Sequence, residues 1–427
     1  MNSKVQQLLA DATAAQGAGR GQESARLFRA VLAVDQNQPI ALNALGIQAL
    51  GAGRLAEAVA LTRRATQADP GEPILWINLA RAQREAGDRA GERASLDAAL
   101  AIDPRRFIAL LRKAQWLESS GDLANAAQTW SAALAMAPPE AQRPPGLASE
   151  LAAGAAFVRR QGSDFAQEVD AGLADARATL DGAERRRFDA CVDTALGRRR
   201  IFHPECAGLH FPFLPADEFF PRTLFPWLAE LEAHTPAIRA EYEALVAGQD
   251  ASFVPYVTQP ANTPVNPWSG LNNRLDWSVY YLWRFGVAQA EAHAACPATA
   301  AALAAVPLLD IPERGPTAFY SLLKPGVRIP PHSGVTNSRA IVHLPLIVPE
   351  ACGFRVGGET RRWTEGEAFV FDDTIEHEAW NDSETGRVVL IMDVWNPHLT
   401  EAERTLLRTY FAVIDASEHK PDLVEGL

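Results

Sequence analysis

Cysteine is scarce and scattered. Cys191, Cys206, Cys296 and Cys352 form no C-x-x-C pair, which excludes a disulfide framework and a zinc ribbon and fits a reducing compartment. Basic charge is also short: 40 Lys and Arg against 52 Asp and Glu leave −12, with no excess to neutralise phosphates or to hold an anionic membrane surface. Neither nucleic acid nor a membrane is an expected partner. No uninterrupted apolar run approaches the roughly 18 residues of a spanning helix, and Asn2, Ser3, Gln6, Gln7 and Asp11 interrupt the start of the chain where a signal peptide would be apolar. The expectation is a soluble, cytoplasmic protein. What is present is an ordinary globular composition, 48% hydrophobic and 22% charged over 427 residues, enough for two or three domains.

The first third repeats itself. Asp35, Asp69-Pro70, Asp103-Pro104 and Ala137-Pro138 recur at a constant step of 34 residues, as do Gly19, Gly53, Gly87 and Gly121. The same step relates Leu8, Leu42, Trp76 and Leu110, the small residues Ala12, Gly46, Ala80 and Ala114, the set Val31, Ala65, Ala99 and Ala133, and the set Phe28, Thr62, Leu96 and Trp130. Each unit reads as a helix, a glycine turn, a second helix and a stop at Asp-Pro. This large-and-small pattern resembles the tetratricopeptide repeat family over about residues 5 to 138, which implies an all-α solenoid whose concave face holds a peptide or protein partner, or else packs against the rest of the chain.

Four prolines between 138 and 146 end the periodicity. A helical connector is expected over 139–200, in which Arg185 to Arg187 and Arg198 to Arg200 read as solvated helix surface. Past Arg200 the composition turns to Phe, Pro and Trp. From about 252, short apolar runs alternate with turn signals: Ala318 to Leu323, Ala340 to Val348, Phe354 to Val356, Glu367 to Phe371 and Val388 to Val394. That spacing predicts a mostly antiparallel sandwich or barrel. The domains are therefore read as 1–138, 139–200 and 201–427, an α+β multidomain chain.

His332, His343 and His377 fall in this strand-rich block. Two imidazoles from separate strands can hold a divalent metal, and Arg387, ten residues past the last, can meet an anion bidentately. The same residue types also serve as structural histidines and surface arginines.

The surrounding motifs narrow this. Pro331-His332-Ser333-Gly334-Val335-Thr336-Asn337, Phe371-Asp372-Asp373-Thr374-Ile375-Glu376-His377-Glu378-Ala379-Trp380 and Asp393-Val394-Trp395-Asn396-Pro397 closely resemble the aspartyl/asparaginyl β-hydroxylase family. Asp276-Trp277-Ser278, Leu282-Trp283, Cys296-Pro297 and Tyr320 to Gly326 extend the likeness to about residues 200–405. The resemblance implies a double-stranded β-helix (jelly-roll, cupin-like) with flanking helices, and a dioxygenase using Fe(II), O2 and 2-oxoglutarate as cosubstrate.

Carried over residue by residue, the resemblance makes His332 and His377 the metal ligands, with Gly334 where the wider superfamily places a third, carboxylate ligand. Asp373 would orient a water or an imidazole, or cap a turn. Arg387 with Ser321 would grip the distal carboxylate of 2-oxoglutarate, and His343 would reach the other. Trp277 matches a pocket tryptophan or a core residue. Arg339 would bind cosubstrate or substrate, but the family pattern Arg-x-Arg-x-His reads here Arg339-Ala340-Ile341-Val342-His343, with Ile341 for the second arginine. The implied reaction is hydroxylation of an unactivated C–H bond, first of all the β-carbon of an Asp- or Asn-type residue in a peptide or protein held with help from the repeats. A free amino acid or a lipid acyl chain is the alternative substrate, and a repeat-based scaffold with an inert hydroxylase-like domain the alternative class.

Overall fold

The computed structural model describes residues 3–248 and 252–417, to which every number and absence below refers. The chain forms two compact units, Met1–Thr179 and Leu180–Leu427.

The first unit is all helix. Four hairpins follow one another: α1 (Ser3–Gly17) with α2 (Gly21–Val34), α3 (Pro39–Gly51) with α4 (Leu55–Ala68), α5 (Pro73–Glu85) with α6 (Arg89–Ile102), and α7 (Phe107–Ser120) with α8 (Leu123–Ala135). The repeat registers explain them. Gly19, Gly53, Gly87 and Gly121 each end a first helix at φ between +71° and +83°, the left-handed turn in which a side chain would be strained. Ala12, Ala80 and Ala114 are almost wholly buried, as are Val31, Ala65, Ala99 and Ala133 of the second helices, so small side chains let the paired helices close up. At Gly46 the approach leaves no room for a side chain, since a Cβ there would lie 2.7 Å from Thr62 Cγ2.

The expected connector is divided. Its first part is α9 (Leu147–Ala178), which packs Leu147, Leu151 and Phe157 against Trp130 and Leu111 and so closes the array. Its second part, α10 (Gly182–Ala195), lies in the second unit. The two arginine clusters are not simply solvated either: Arg186 Nε donates to Glu359 at 2.5 Å and its guanidinium to the Phe219 carbonyl at 3.2 Å, while Arg199 pairs with Glu218. Sequence alone shows the charges but not the distant carboxylates they meet.

The second unit is a double-stranded β-helix. The short helices α11 (Leu228–Ala233) and α12 (Thr235–Ala247) precede the strands β1 (Val254–Pro255), β2 (Trp277–Arg284) and β3 (Val287–Ala288). After α13 (Ala290–Ala295) and α14 (Pro297–Ala304) come β4 (Ala318–Leu323), β5 (Val327–His332), β6 (Arg339–Ile347), β7 (Cys352–Val356), β8 (Glu359–Arg361), β9 (Phe369–Phe371), β10 (His377–Asn381) and β11 (Arg387–Trp395), then α15 (Glu401–Asp415). One sheet runs β1-β2-β4-β11-β6-β9 with β3 on β2, the other β5-β10-β7-β8, and all the pairs are antiparallel.

Alternation along the strands separates two cores. Tyr320, Leu390, Met392, Val342 and Leu344 face outward onto α11, α12 and α14 through Leu231, Ile238 and Leu303. The intervening residues, among them Phe319, Val389, Ile391 and Ile341, face the interior. Both faces of the larger sheet are thus covered, which is why β11 is buried at every position. Among the described residues no helix is long and apolar enough to cross a membrane.

Candidate active site

Register places the two histidines. His332 ends β5 and His377 begins β10, and they are direct cross-strand partners, so their rings stand 4.0 Å apart between centroids. β5 carries Pro330 and Pro331, which cannot donate to a neighbour on both sides, and it is the edge strand of its sheet. The edge leaves His332 open to the loop before β2, from which Trp268 meets it edge-on at 4.8 Å.

Local hydrogen bonds fix the rings. His332 Nδ1 lies 2.8 Å from the Pro330 carbonyl and His377 Nδ1 3.0 Å from that of Ile375. A carbonyl only accepts, so each Nδ1 carries the proton and each Nε2 keeps its lone pair. Burial lowers both pKa values, that of His377 well below the usual range, with the neighbouring imidazole adding to the effect. Two neutral imidazoles with free Nε2 atoms are the donor set of a borderline divalent metal. Among the described residues no group of three or more His, Cys, Asp or Glu is arranged around a common ion.

Asp373 explains Gly334. A Cβ on Gly334 would run into the Asp373 carboxylate, so the space that a side chain at 334 would need is already filled by another acid. Asp373 Oδ2 accepts from Arg339 at 2.8 Å, while its Oδ1 is buried without a hydrogen-bond partner. Arg339 also lies 3.6 Å from Asp393. Burial opposes its charge, but these two carboxylates outweigh burial and hold the guanidinium firmly protonated. Burial raises the Asp393 carboxyl to about 6.

The interior also holds a cation with no carboxylate paired to it among the described residues. Arg387, 1% exposed, has the largest fully buried side chain in the chain. Its Nη2 is 3.4 Å from Ser321 Oγ, which also accepts from Trp277 Nε1 at 3.1 Å, and its Nε has no partner. Burial lowers its pKa to about 10, with only the Cys352 thiol opposing the shift. Trp363 lies under the guanidinium at 5.2 Å and stacks on His343 at 5.4 Å, 8° from parallel. His343 Nδ1 and Trp363 Nε1 are likewise buried and unpartnered, and burial together with Arg387 keeps His343 neutral. A buried charge without a counter-ion costs several kcal/mol, of order. One guanidinium and two unpartnered ring nitrogens in one place therefore describe a receptor for an anion.

All the residues singled out in the sequence, His332, His377, Asp373, Arg387, Ser321, His343, Arg339 and Trp277, line this one interior. Sequence reasoning did not single out Trp268, Tyr256, Trp363 or Asp393. Asp393 carried a signal, since it opens one of the motifs; the three aromatics did not, because only the fold brings their loops over the site.

The two-sheet β-helix thus gathers two paired imidazoles and a buried guanidinium in one interior. Residues 232–397 match the family model described as aspartyl/asparaginyl beta-hydroxylase. The chain is 34% identical over 226 residues to the ornithine lipid ester-linked acyl 2-hydroxylase of Rhizobium tropici, covering 52% of this chain and 75% of that protein. It is 39% identical over 138 residues to human aspartyl/asparaginyl beta-hydroxylase, covering 32% of this chain but only 18% of the human protein. Among solved structures, MamA is similar over 42% of this chain and 98% of its own, at 14% identity and a TM-score of 0.32, too slight a likeness to carry an argument. The chain belongs to the aspartyl/asparaginyl β-hydroxylase family of hydroxylases.

Proposed function

We propose that the chain is an iron(II)- and 2-oxoglutarate-dependent dioxygenase that hydroxylates an unactivated C–H bond. The observation that carries this is the pairing of two Nδ1-anchored imidazoles with a buried, unpaired arginine in one apolar interior. Bound iron supplies the oxygen chemistry: O2 and 2-oxoglutarate give succinate and carbon dioxide, and the second oxygen atom ends as hydroxyl on the substrate carbon.

His332 and His377 would hold the metal through Nε2. The Arg387 guanidinium and Ser321 hydroxyl would take the distal carboxylate of 2-oxoglutarate, and the unpartnered nitrogen of His343 would serve the nearer one. Asp373, with one oxygen on Arg339 and one free, would accept a hydrogen bond from a water standing beside Gly334. Phe354, Phe371 and Trp268 around the histidines exclude bulk water.

The electrostatics bear on the substrate. Arg339 faces two carboxylates and Ile341 adds no charge, so this end of the interior has no spare cation for an acidic side chain. The reading favoured is an aliphatic acyl substrate, in line with the acyl 2-hydroxylase of Rhizobium tropici to which the chain is similar. The peptide reading keeps its own support, the repeat helices and the identity to the human β-hydroxylase. Succinate formation from 2-oxoglutarate with iron(II) and air, with product masses compared for acyl esters and for Asp- or Asn-containing peptides, tests both. A gain of one oxygen on the acyl ester supports the reading, and metal-independent succinate formation or none at all overturns it.

A further inference from the structure

A row of aromatic rings leads away from the paired histidines. Trp268, edge-on to His332, stacks towards Trp277 at 6.2 Å; Trp277 stacks on Tyr256 at 4.0 Å and 26°; Tyr256 lies 5.7 Å from Phe319. Three of these five rings have an assigned use for their polar atoms or none to use. Trp277 Nε1 donates to Ser321, His332 Nδ1 is bonded to its own loop, and Phe319 has no polar atom. Tyr256 differs. Half-buried, it is packed against both interior clusters, and its hydroxyl makes no hydrogen bond among the described residues, which leaves it free to donate to a ligand.

The surroundings of that hydroxyl define what it can serve. Burial raises its pKa well above the ordinary value, and Tyr281, Asp373 and Asp393 add to the rise against Arg339. It is therefore a neutral O–H at any physiological pH, able to donate one hydrogen bond. Asp373 Oδ2 accepts from Arg339 and Asp393 Oδ1 from the Thr317 amide at 2.7 Å; Asp373 Oδ1 and Asp393 Oδ2 have no partner, so the phenol bonds to neither carboxylate. Alongside, Val279, Phe319, Val389, Ile391 and Ile341 form a continuous apolar wall. A donor at the edge of an apolar wall matches an alkyl chain that carries one uncharged acceptor.

We infer that Tyr256 is a substrate-binding residue whose phenol donates to a carbonyl oxygen of the substrate, with the alkyl chain beyond that carbonyl lying on the Val279–Phe319–Ile391 wall. The inference rests on the acyl reading of the site. It assigns a task to each half of the interior: Arg387 receives an anion, and Tyr256 sorts neutral substrates by their carbonyl. A substrate lacking the carbonyl would fit the wall but lose its orientation.

The test uses the full-length chain without oxygen, with iron(II) and 2-oxoglutarate present, so that binding proceeds without turnover. Methyl octanoate and methyl octyl ether differ only at the carbonyl, and quenching of tryptophan fluorescence, with Trp277 stacked on Tyr256, reports their binding. The parent should prefer the ester by about fivefold to tenfold, the net worth of one hydrogen bond. Tyr256→Phe, which keeps the stacked ring, should bind both probes with the affinity the parent shows for the ether, at an unchanged melting temperature. If the preference persists in Tyr256→Phe, the Tyr256 assignment is wrong while the acyl reading stands. If neither probe binds the parent although metal and 2-oxoglutarate do, the acyl reading falls and this inference with it.

Discussion

At the scale of single residues, Arg387 is the most exposed to contradiction. Nothing in the fold neutralises it, so its retention is explained only by a ligand carrying negative charge. Arg387→Ala should weaken 2-oxoglutarate binding by roughly tenfold to a hundredfold, the worth of a charge-assisted pair, and Arg387→Lys should recover only part, because a point charge cannot reproduce a planar fork. Titration of both variants against the parent checks this; equal affinities would move the cosubstrate elsewhere. The buried carboxyls give a second expectation. Burial raises Asp372 and Asp393 to about 6 in the folded chain, against roughly 3.9 when unfolded. The folded state then holds these protons more tightly, so their contribution to stability is full below about pH 4 and is lost as pH rises through 6. Asp372→Asn keeps an acceptor for the Thr374 amide and hydroxyl and should gain stability relative to the parent between pH 4.5 and pH 7.5, measured by urea unfolding; a constant difference would contradict the raised carboxyl. Much of this scale was legible in sequence because the motifs are local: His332, His377 and Arg387 each sit in a recognisable run. Arg339 was legible as a residue but not as a neutralised one, since Asp373 reaches it from the turn after β9 and Asp393 from β11.

Elements were readable where one period governs them and blurred where it does not. The 34-residue step sets the hairpins because each register position has one packing task, and the apolar runs at 318–323 and 388–394 coincide with β4 and β11 within a residue or so. The strands β2, β5 and β10 were not among the anticipated runs, nor were the short β1, β3 and β8: two or three residues carry no period, and only their neighbours make them strands. Nor could composition place α9 with the repeats, since the partner of its apolar face is Trp130, far back in the chain. That contact is testable. A Cβ on Gly154 would strike the Trp130 indole, whereas one on Gly162 of the same helix meets nothing within 4 Å. Gly154→Ala should destabilise the array by about 1–3 kcal/mol through overpacking, and Gly162→Ala should stabilise it by roughly 0.5–1 kcal/mol through helix propensity. Melting of the two variants by circular dichroism decides; a harmless Gly154→Ala would mean that α9 does not seat on α8 as described.

For the whole molecule, the division at Thr179 governs how the chain can be cut. Every residue named at the candidate site lies beyond it, and α9 belongs before it. Residues 180–427 should therefore be soluble and retain substrate-independent 2-oxoglutarate turnover. A cut at 138 should behave worse, because it strips α8 from α9 and exposes Leu147, Leu151 and Phe157. Light scattering and succinate assays on the two truncations separate these outcomes, and equal behaviour would show that α9 does not depend on the repeats. If turnover on the true substrate also survives the cut at 180 undiminished, the repeats serve some partner other than the substrate.

The proposed metal centre rests on one pair of side chains, and one measurement tests it most directly: iron content after anaerobic loading and desalting of the parent and of His332→Ala and His377→Ala. Two imidazoles whose Nδ1 atoms are tied to carbonyls predict one iron per parent chain and loss of that iron in either variant, while Arg387→Ala, which removes neither imidazole, still binds it. Undiminished iron in either histidine variant would contradict the site.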